Sequence, residues 1–143
     1  MDNFKYHITM AVVSSICNVR LLPLDIIRHF SVIDGEVSLG ARQDKIEYMD
    51  IVPGSGSVAD EDDGSGKFTK KIAFKVKGTF RKEREYRRFN TLKVVMMYQN
   101  EVGETRVSGS LSNPLSVKIT RQGGLIQFSL TGTDSTSDGI LVE

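Results

Sequence analysis

The stretch from Lys67 to Phe80, KFTKKIAFKVKGTF, decides the fold. Phe68, Ile72, Phe74, Val76 and Phe80 fall on one parity, while Lys67, Thr69, Lys71, Lys75, Lys77 and Thr79 fall on the other. Successive side chains of a strand point to opposite faces, so this reads as a half-buried β-strand with an apolar inner face and a lysine-rich outer one. The same alternation returns at Leu115, Val117 and Ile119, and again at Ile126, Phe128 and Leu130. Gln122, Gly123 and Gly124 separate these two runs, and glycine reaches positive φ at no steric cost, which predicts a tight hairpin.

Between these strands, Val94 to Tyr98 is apolar on both parities, the pattern of a strand covered on both faces. It pairs in sequence with Thr105 to Leu111 through a turn in which Gly103 is expected at the left-handed position. Asn113-Pro114 marks a corner before the next strand, because proline lacks a donor and restricts the residue before it. The N-terminal half is less regular. Tyr6 to Val19 reads as one long or bent strand, Val32 to Leu39 as another and Ile46 to Val52 as a third.

Arg81 to Leu92 interrupts the β pattern, with Tyr86, Phe89 and Leu92 three residues apart among charges, and predicts a short amphipathic helix covering the sheet. Leu24 to Phe30, after Pro23, fits a helical turn or a strand. Residues 53–67, PGSGSVADEDDGSGK, have too little apolar area to bury and read as a flexible acidic loop; long loops of this kind often carry an interaction. The tail at 132–143 is polar through Gly139 and then ends in Ile140, Leu141 and Val142, a strand-prone tip suited to docking on a neighbouring chain.

The chain has 143 residues, 19 Lys+Arg against 18 Asp+Glu, one Cys and no Trp, which fits a single β-rich domain spanning 1–143. A collagen, a coiled coil and a wholly disordered chain are excluded by this composition. A net charge of +1 gives no whole-molecule field for nucleic acid, membranes or acidic substrates. The near neutrality is a cancellation between the acidic run Asp60, Glu61, Asp62, Asp63 and the basic region from Lys67 to Lys93. A lone cysteine makes no internal disulfide and suits a reducing cytoplasm. No apolar run approaches the roughly 18 residues of a membrane helix. The start lacks the pattern of a secretory signal, and Ile16 stands where a lipoprotein cysteine needs a small residue, so synthesis and retention in a cytoplasm are expected.

Catalytic signatures are weak. Nucleophilic catalysis needs a base within reach, and the histidines, His7 and His29, both sit beside apolar positions. Cys17 with either would be a nominal Cys-His couple, and a buried structural cysteine is the favoured reading. The acidic run could attract calcium, but a twelve-residue frame from Asp60 puts Lys71 where an EF-hand needs its bidentate Glu. The glycines around it lack the Lys-Ser/Thr ending and the strand-to-helix setting of a phosphate loop. No catalytic residue, metal site or cofactor is expected.

The segment KVVMMYQNEVGETRVSGSLSNPLSVKITRQGGLIQFSLTGTDS, Lys93 to Ser135, resembles the C-terminal half of small structural proteins of tailed phages and prophages of Bacteroidetes-type gut bacteria. The corresponding features are Gly109-Ser110, Asn113-Pro114-Leu115 and the last strand, Phe128 to Thr131, with its polar G-T ending. The strand and basic helix from Phe68 to Leu92 fit the same order. The resemblance implies a non-enzymatic virion component, made in the bacterial host cytoplasm and placed in a tail or head–tail connector.

The expected fold is mainly β, α+β in the broad sense: an antiparallel β-sandwich or partly open barrel with one short amphipathic helix. The expected partners are further copies in a ring or tube and other virion proteins, with no membrane. Candidate interaction residues are Asp60, Glu61, Asp62 and Asp63 in the loop, Lys71, Lys75 and Lys77 on the strand, Arg81, Arg84, Arg87 and Arg88 on the helix, and Ile140, Leu141 and Val142 at the tip. The alternative reading is a binding module for a host-surface glycan or nucleic acid through the basic region 67–93.

Overall fold

In chain order the elements are β1 (Ala11–Ser15), β2 (Cys17–Pro23), β3 (Ile27–Ile33), β4 (Glu36–Ala41), β5 (Glu47–Tyr48), β6 (Ser57–Asp62), β7 (Phe68–Lys77), α1 (Phe80–Tyr86), β8 (Lys93–Gln99), β9 (Thr105–Ser108), β10 (Leu115–Gln122), β11 (Leu125–Asp134) and β12 (Gly139–Leu141). They come from a computed structural model, which describes residues 11–62 and 64–142.

The parity of β7 behaves as its sequence predicts: Ile72, Phe74 and Val76 are buried, and Lys71 and Lys77 are exposed. Phe80 departs from it and is 70% exposed, because the strand stops at Lys77 and Phe80 opens α1. Thr79 caps that helix, its Oγ1 accepting a hydrogen bond from the Lys82 amide at 3.2 Å. A 3-10 segment, Arg87–Thr91, continues it.

The strands form one open, mixed sheet in the order β1-β6-β7-β11-β10-β8-β9-β12-β4-β3, with β2 along the other side of β8 and β5 beside β2. All pairings are antiparallel except β12 on β4. The sheet folds over itself as a sandwich. The inner faces of β7, β10 and β11 pack against Val19 and Leu21 of β2 and against Val94, Met96 and Tyr98 of β8. On the opposite side of β8, Val95 and Met97 join Leu22, Val37 and Val107 in a second core beneath the β3–β4 hairpin. The unbroken apolar run of β8 is thus explained by its place between two cores.

The larger core is centred on aromatic rings. Phe128 stacks on Phe74 with centroids 4.9 Å apart, and Tyr86 and Phe89 meet it edge-on at 5.2 and 6.2 Å. The expected stripe on the helical segment therefore covers the sheet, with Phe89 fully buried and Tyr86 and Leu92 partly so. The Gly123-Gly124 hairpin and Gly103, at φ +86°, are also as predicted.

Several segments differ from their sequence reading. Val32 to Leu39 is a hairpin, turning at Asp34-Gly35 with φ of 52° and 79°, the two positive values of a type I′ turn. Leu24 to Phe30 is split between a 3-10 turn, Leu24–Ile26, and the start of β3. Tyr6 to Val19 breaks between β1 and β2, and its first residues lie outside the described ones. Ile46 to Val52 contributes only the short β5 and a bridge from Ile51 to Val76.

The larger correction concerns 53–67. Ser57–Asp62 is a strand, β6, paired with β1 on one side and β7 on the other, so only the flanking glycine turns behave as loop. Its alternation was hidden by acidic residues, of which Asp60 takes an inward position. Likewise the described part of the tail, 132–142, is no free tether: β11 runs to Asp134, and β12 lies between β9 and β4 of the same chain.

Phe128→Ala is expected to lower unfolding free energy by about 3–5 kcal/mol, as removing a buried ring leaves a cavity among Phe74, Tyr86 and Phe89. Chemical denaturation followed by circular dichroism measures it.

Candidate functional site

A lysine on the inward parity of β7 is the most unusual feature of the interior. Lys70 is 1% exposed and points into the sandwich near the end of its larger core. Its Nζ donates to Asp138 Oδ1 at 2.7 Å, to the Thr136 carbonyl at 3.2 Å and to the Asp60 carboxylate at 3.3 and 3.4 Å. Asp60 is brought there by register, because it pairs directly with Lys70 across β6 and β7. Asp138 arrives from the segment before β12, and its amide donates to Asp60 Oδ2 at 2.9 Å. Tyr98 of β8 donates its hydroxyl to Asp138 Oδ2 at 2.6 Å, and the Arg106 guanidinium donates to the Asp138 carbonyl.

The Lys70 ammonium, the Asp60 and Asp138 carboxylates and the Tyr98 phenol each have partners for their burial, which is the condition for holding charge inside a protein, while Arg106 Nε is left without one. Burial raises the Asp60 pKa, with the neighbouring Asp138 charge adding to it; hydrogen bonds from the Asp138 amide and Lys70 act the other way. Burial, then the Asp138 carboxylate, raises the Tyr98 phenol far above its ordinary value, so it serves as a donor. The grooves lined by Asp25 and Arg42, by Thr69 and Ser116, by Arg20 and Tyr48, and by Arg81 and Glu85 include none of Asp60, Lys70, Tyr98 and Asp138. Chemically, this arrangement fastens the C-terminal segment to the sheet.

A second charged cluster lies at the helix. Glu83 accepts from Arg121 at 2.7 Å and from Arg87 at 2.9 Å, and these bonds hold its pKa below the ordinary 4.5. Arg88 pairs with Glu47 and stacks over Phe89, its guanidinium carbon 4.7 Å from the ring centroid. The basic helix is therefore partly neutralised. Arg87 and Arg88 are engaged within the chain, whereas Arg81 and Arg84 line an open groove with Glu85.

The outer face of β7 is different. Lys71 stands 3.8 Å from Glu61, and Lys75 and Lys77 extend the same face. Their neighbours across β11 and β10 are Thr131, Gln127 and Leu125, then Ser116, Thr120 and Gln122. Lys118 shares this face, and Lys93 closes one row with its Nζ 2.6 Å from Ser116 Oγ.

The residues singled out from sequence thus separate. Asp60 is buried and taken up by Lys70, because its inward parity on β6 removes it from any partner; Glu61 faces outward, and Asp62 caps the next turn through Gly64 N. Asp63 lies outside the described residues. Ile140 and Leu141 form β12 on their own sheet, which corrects the expectation of docking elsewhere, while Val142 donates its amide to the Val37 carbonyl at 2.9 Å. Cys17 is exposed rather than buried, 3.8 Å from Gln99 Oε1; His29 meets Ser38, and His7 lies outside the described residues. Among the described residues no group of three His, Cys, Asp or Glu is placed to hold a metal ion. No helix among them is long and apolar enough to cross a membrane.

Sequence reasoning missed Lys70, Asp138 and Tyr98 as a group. The signal was Lys70 itself, a charge on the apolar parity of the clearest strand. Family models, curated proteins and solved structures were all compared with this chain, and none matches it.

Lys70→Met leaves two buried carboxylates facing each other without a cation. The expected cost at neutral pH is about 3–5 kcal/mol. Asp60, whose pKa burial and the Asp138 charge already raise, then lacks the Lys70 interaction that opposes them, so the folded state binds more protons and stability recovers as pH falls. Urea denaturation at neutral and mildly acidic pH checks both the loss and its partial reversal.

Proposed function

We propose that the chain is a non-enzymatic virion structural subunit, a tail or head–tail connector component that joins neighbouring copies and other virion proteins. The observation that carries this reading is the open sheet with a free edge strand. Among the described residues β3 has a strand partner only in β4, and it exposes Val32 (44%) and Ile33 (71%). Ile33, Glu36 and Ile140 lie in one cross-strand row, with the exposed Glu36 between two exposed apolar side chains. Past Arg28 and the bulge between Ile27 and His29, the free edge ends in exposed apolar residues, a hazard for a monomer and a template for adding another chain.

The other end of the sheet order is β1, whose partner among the described residues is β6. Unlike edges at opposite ends suit head-to-tail addition, which closes into a ring when the rotation allows it and otherwise runs on as a tube. The sequence resemblance from Lys93 to Ser135 supports the same reading. The acidic segment has no part in it, being paired within the subunit, and of the apolar tip only Ile140 reaches the edge row.

Sedimentation velocity and negative-stain imaging of the purified chain test the proposal. Rings, tubes or discrete oligomers are expected, and Val32→Lys with Ile33→Lys is expected to dissociate them without changing the circular dichroism spectrum. A monomer at high concentration, or an assembly indifferent to these substitutions, overturns it.

A further inference from the structure

The lysine face of the sheet has no role in edge-to-edge assembly, and its chemistry points elsewhere. We infer that the outer face of β7, β11 and β10 is a docking surface for duplex DNA, held through its phosphate backbone.

The cross-strand register lays the groups out in rows. Lys93, Ser116, Thr131 and Lys71 form one row, with a lysine at each end and hydroxyls between. Lys118, Ser129 and Ala73 form the next, then Thr120, Gln127 and Lys75, then Gln122, Leu125 and Lys77. From strand geometry the face runs about 20 Å along β7 and about 14 Å across to β8. Glu61, beside Lys71, is the acid that stands among these lysines.

Positive potential on this face survives although the whole chain is near neutral, because other basic groups are already paired: Lys70 with Asp60 and Asp138, Arg87 and Arg121 with Glu83, and Arg88 with Glu47. Beside the first row lies a shallow groove of about 440 Å³, whose lining includes Lys93, Asn113, Ser116, Thr131 and Thr133. Lysine, hydroxyl and amide side chains are the groups that bind phosphate oxygens and set a protein on a duplex without reading sequence.

Two properties select duplex over single strand. The rows carry no aromatic ring on which unpaired bases could stack, the usual platform for single strands. A duplex presents one charge per about 1.7 Å of axis, a density that lets a face of this size meet several phosphates at once.

The test is fluorescence anisotropy of the full chain with a labelled mixed-sequence duplex over a range of salt. Binding is expected at low salt, with log K falling against log salt by about 0.9 per phosphate contacted and a total slope of about −3 to −5. Lys71→Glu with Lys75→Glu and Lys77→Glu is expected to weaken binding at least about tenfold and reduce the slope by about three. The corresponding Gln substitutions give a milder loss in the same direction, and melting curves verify that both variants fold. Arg81→Glu with Arg84→Glu should leave binding in place. No binding at low salt, binding untouched by the lysine variants, or loss caused only by the helix variant overturns the proposal. Binding of dextran sulfate without the duplex also overturns it, assigning the face to an anionic glycan.

Discussion

The fold depends on how a buried ammonium is satisfied. An ion taken out of water costs several kcal/mol unless charge and hydrogen bonds replace its hydration. Lys70 satisfies that requirement with Asp60 from the neighbouring strand, with Asp138 from far along the chain and with the Thr136 carbonyl. One partner comes free with the β6–β7 register, and the other must be carried in by the C-terminal segment. The cluster therefore links the strand that defines the sheet to the residues that finish it.

What the segment then does is structural. Past Asp138 the chain becomes β12, which joins β9 to β4, and these strands have no direct pairing to each other. The Ile140 amide bonds to Gly35 and the Val142 amide to Val37, so the β3–β4 hairpin is tied down over the second core. This same hairpin presents Val32 and Ile33 at the free edge of the sheet. The edge is thus held in place by an ion pair on the far side of β9, which connects interior electrostatics to the proposed assembly surface.

The sequence made the centre of the fold legible and its periphery much less so. Alternation in β7, β10 and β11 and the two-sided apolar run of β8 were readable because each strand buries ordinary apolar side chains at period two. Asp34-Gly35 carried a hairpin signal that the apolar residues on both sides obscured. β6 was unreadable by composition: its inward residues are Val58 and Asp60, and the latter is compatible with burial only because Lys70 stands opposite. The polar tail is the same case, since Asp138 looks like a loop residue until its partners are known. Long-range charge pairing leaves no local period, so segments built on it read as solvated chain. Of the candidate site, the lysine face was legible from parity alone, whereas the helix arginines needed the structure to show which are already engaged.

The most direct test of this account is native-state hydrogen exchange on the Lys70→Met protein, comparing the amides of Ile140 and Val142 with those of Phe74 and Phe128. Without the buried cation the C-terminal segment should open on its own, so Ile140 and Val142 are predicted to lose protection by a much larger factor than the two core amides. Equal loss at all four positions, or unchanged protection at Ile140 and Val142, would contradict the claim that Lys70 holds that segment to the sheet.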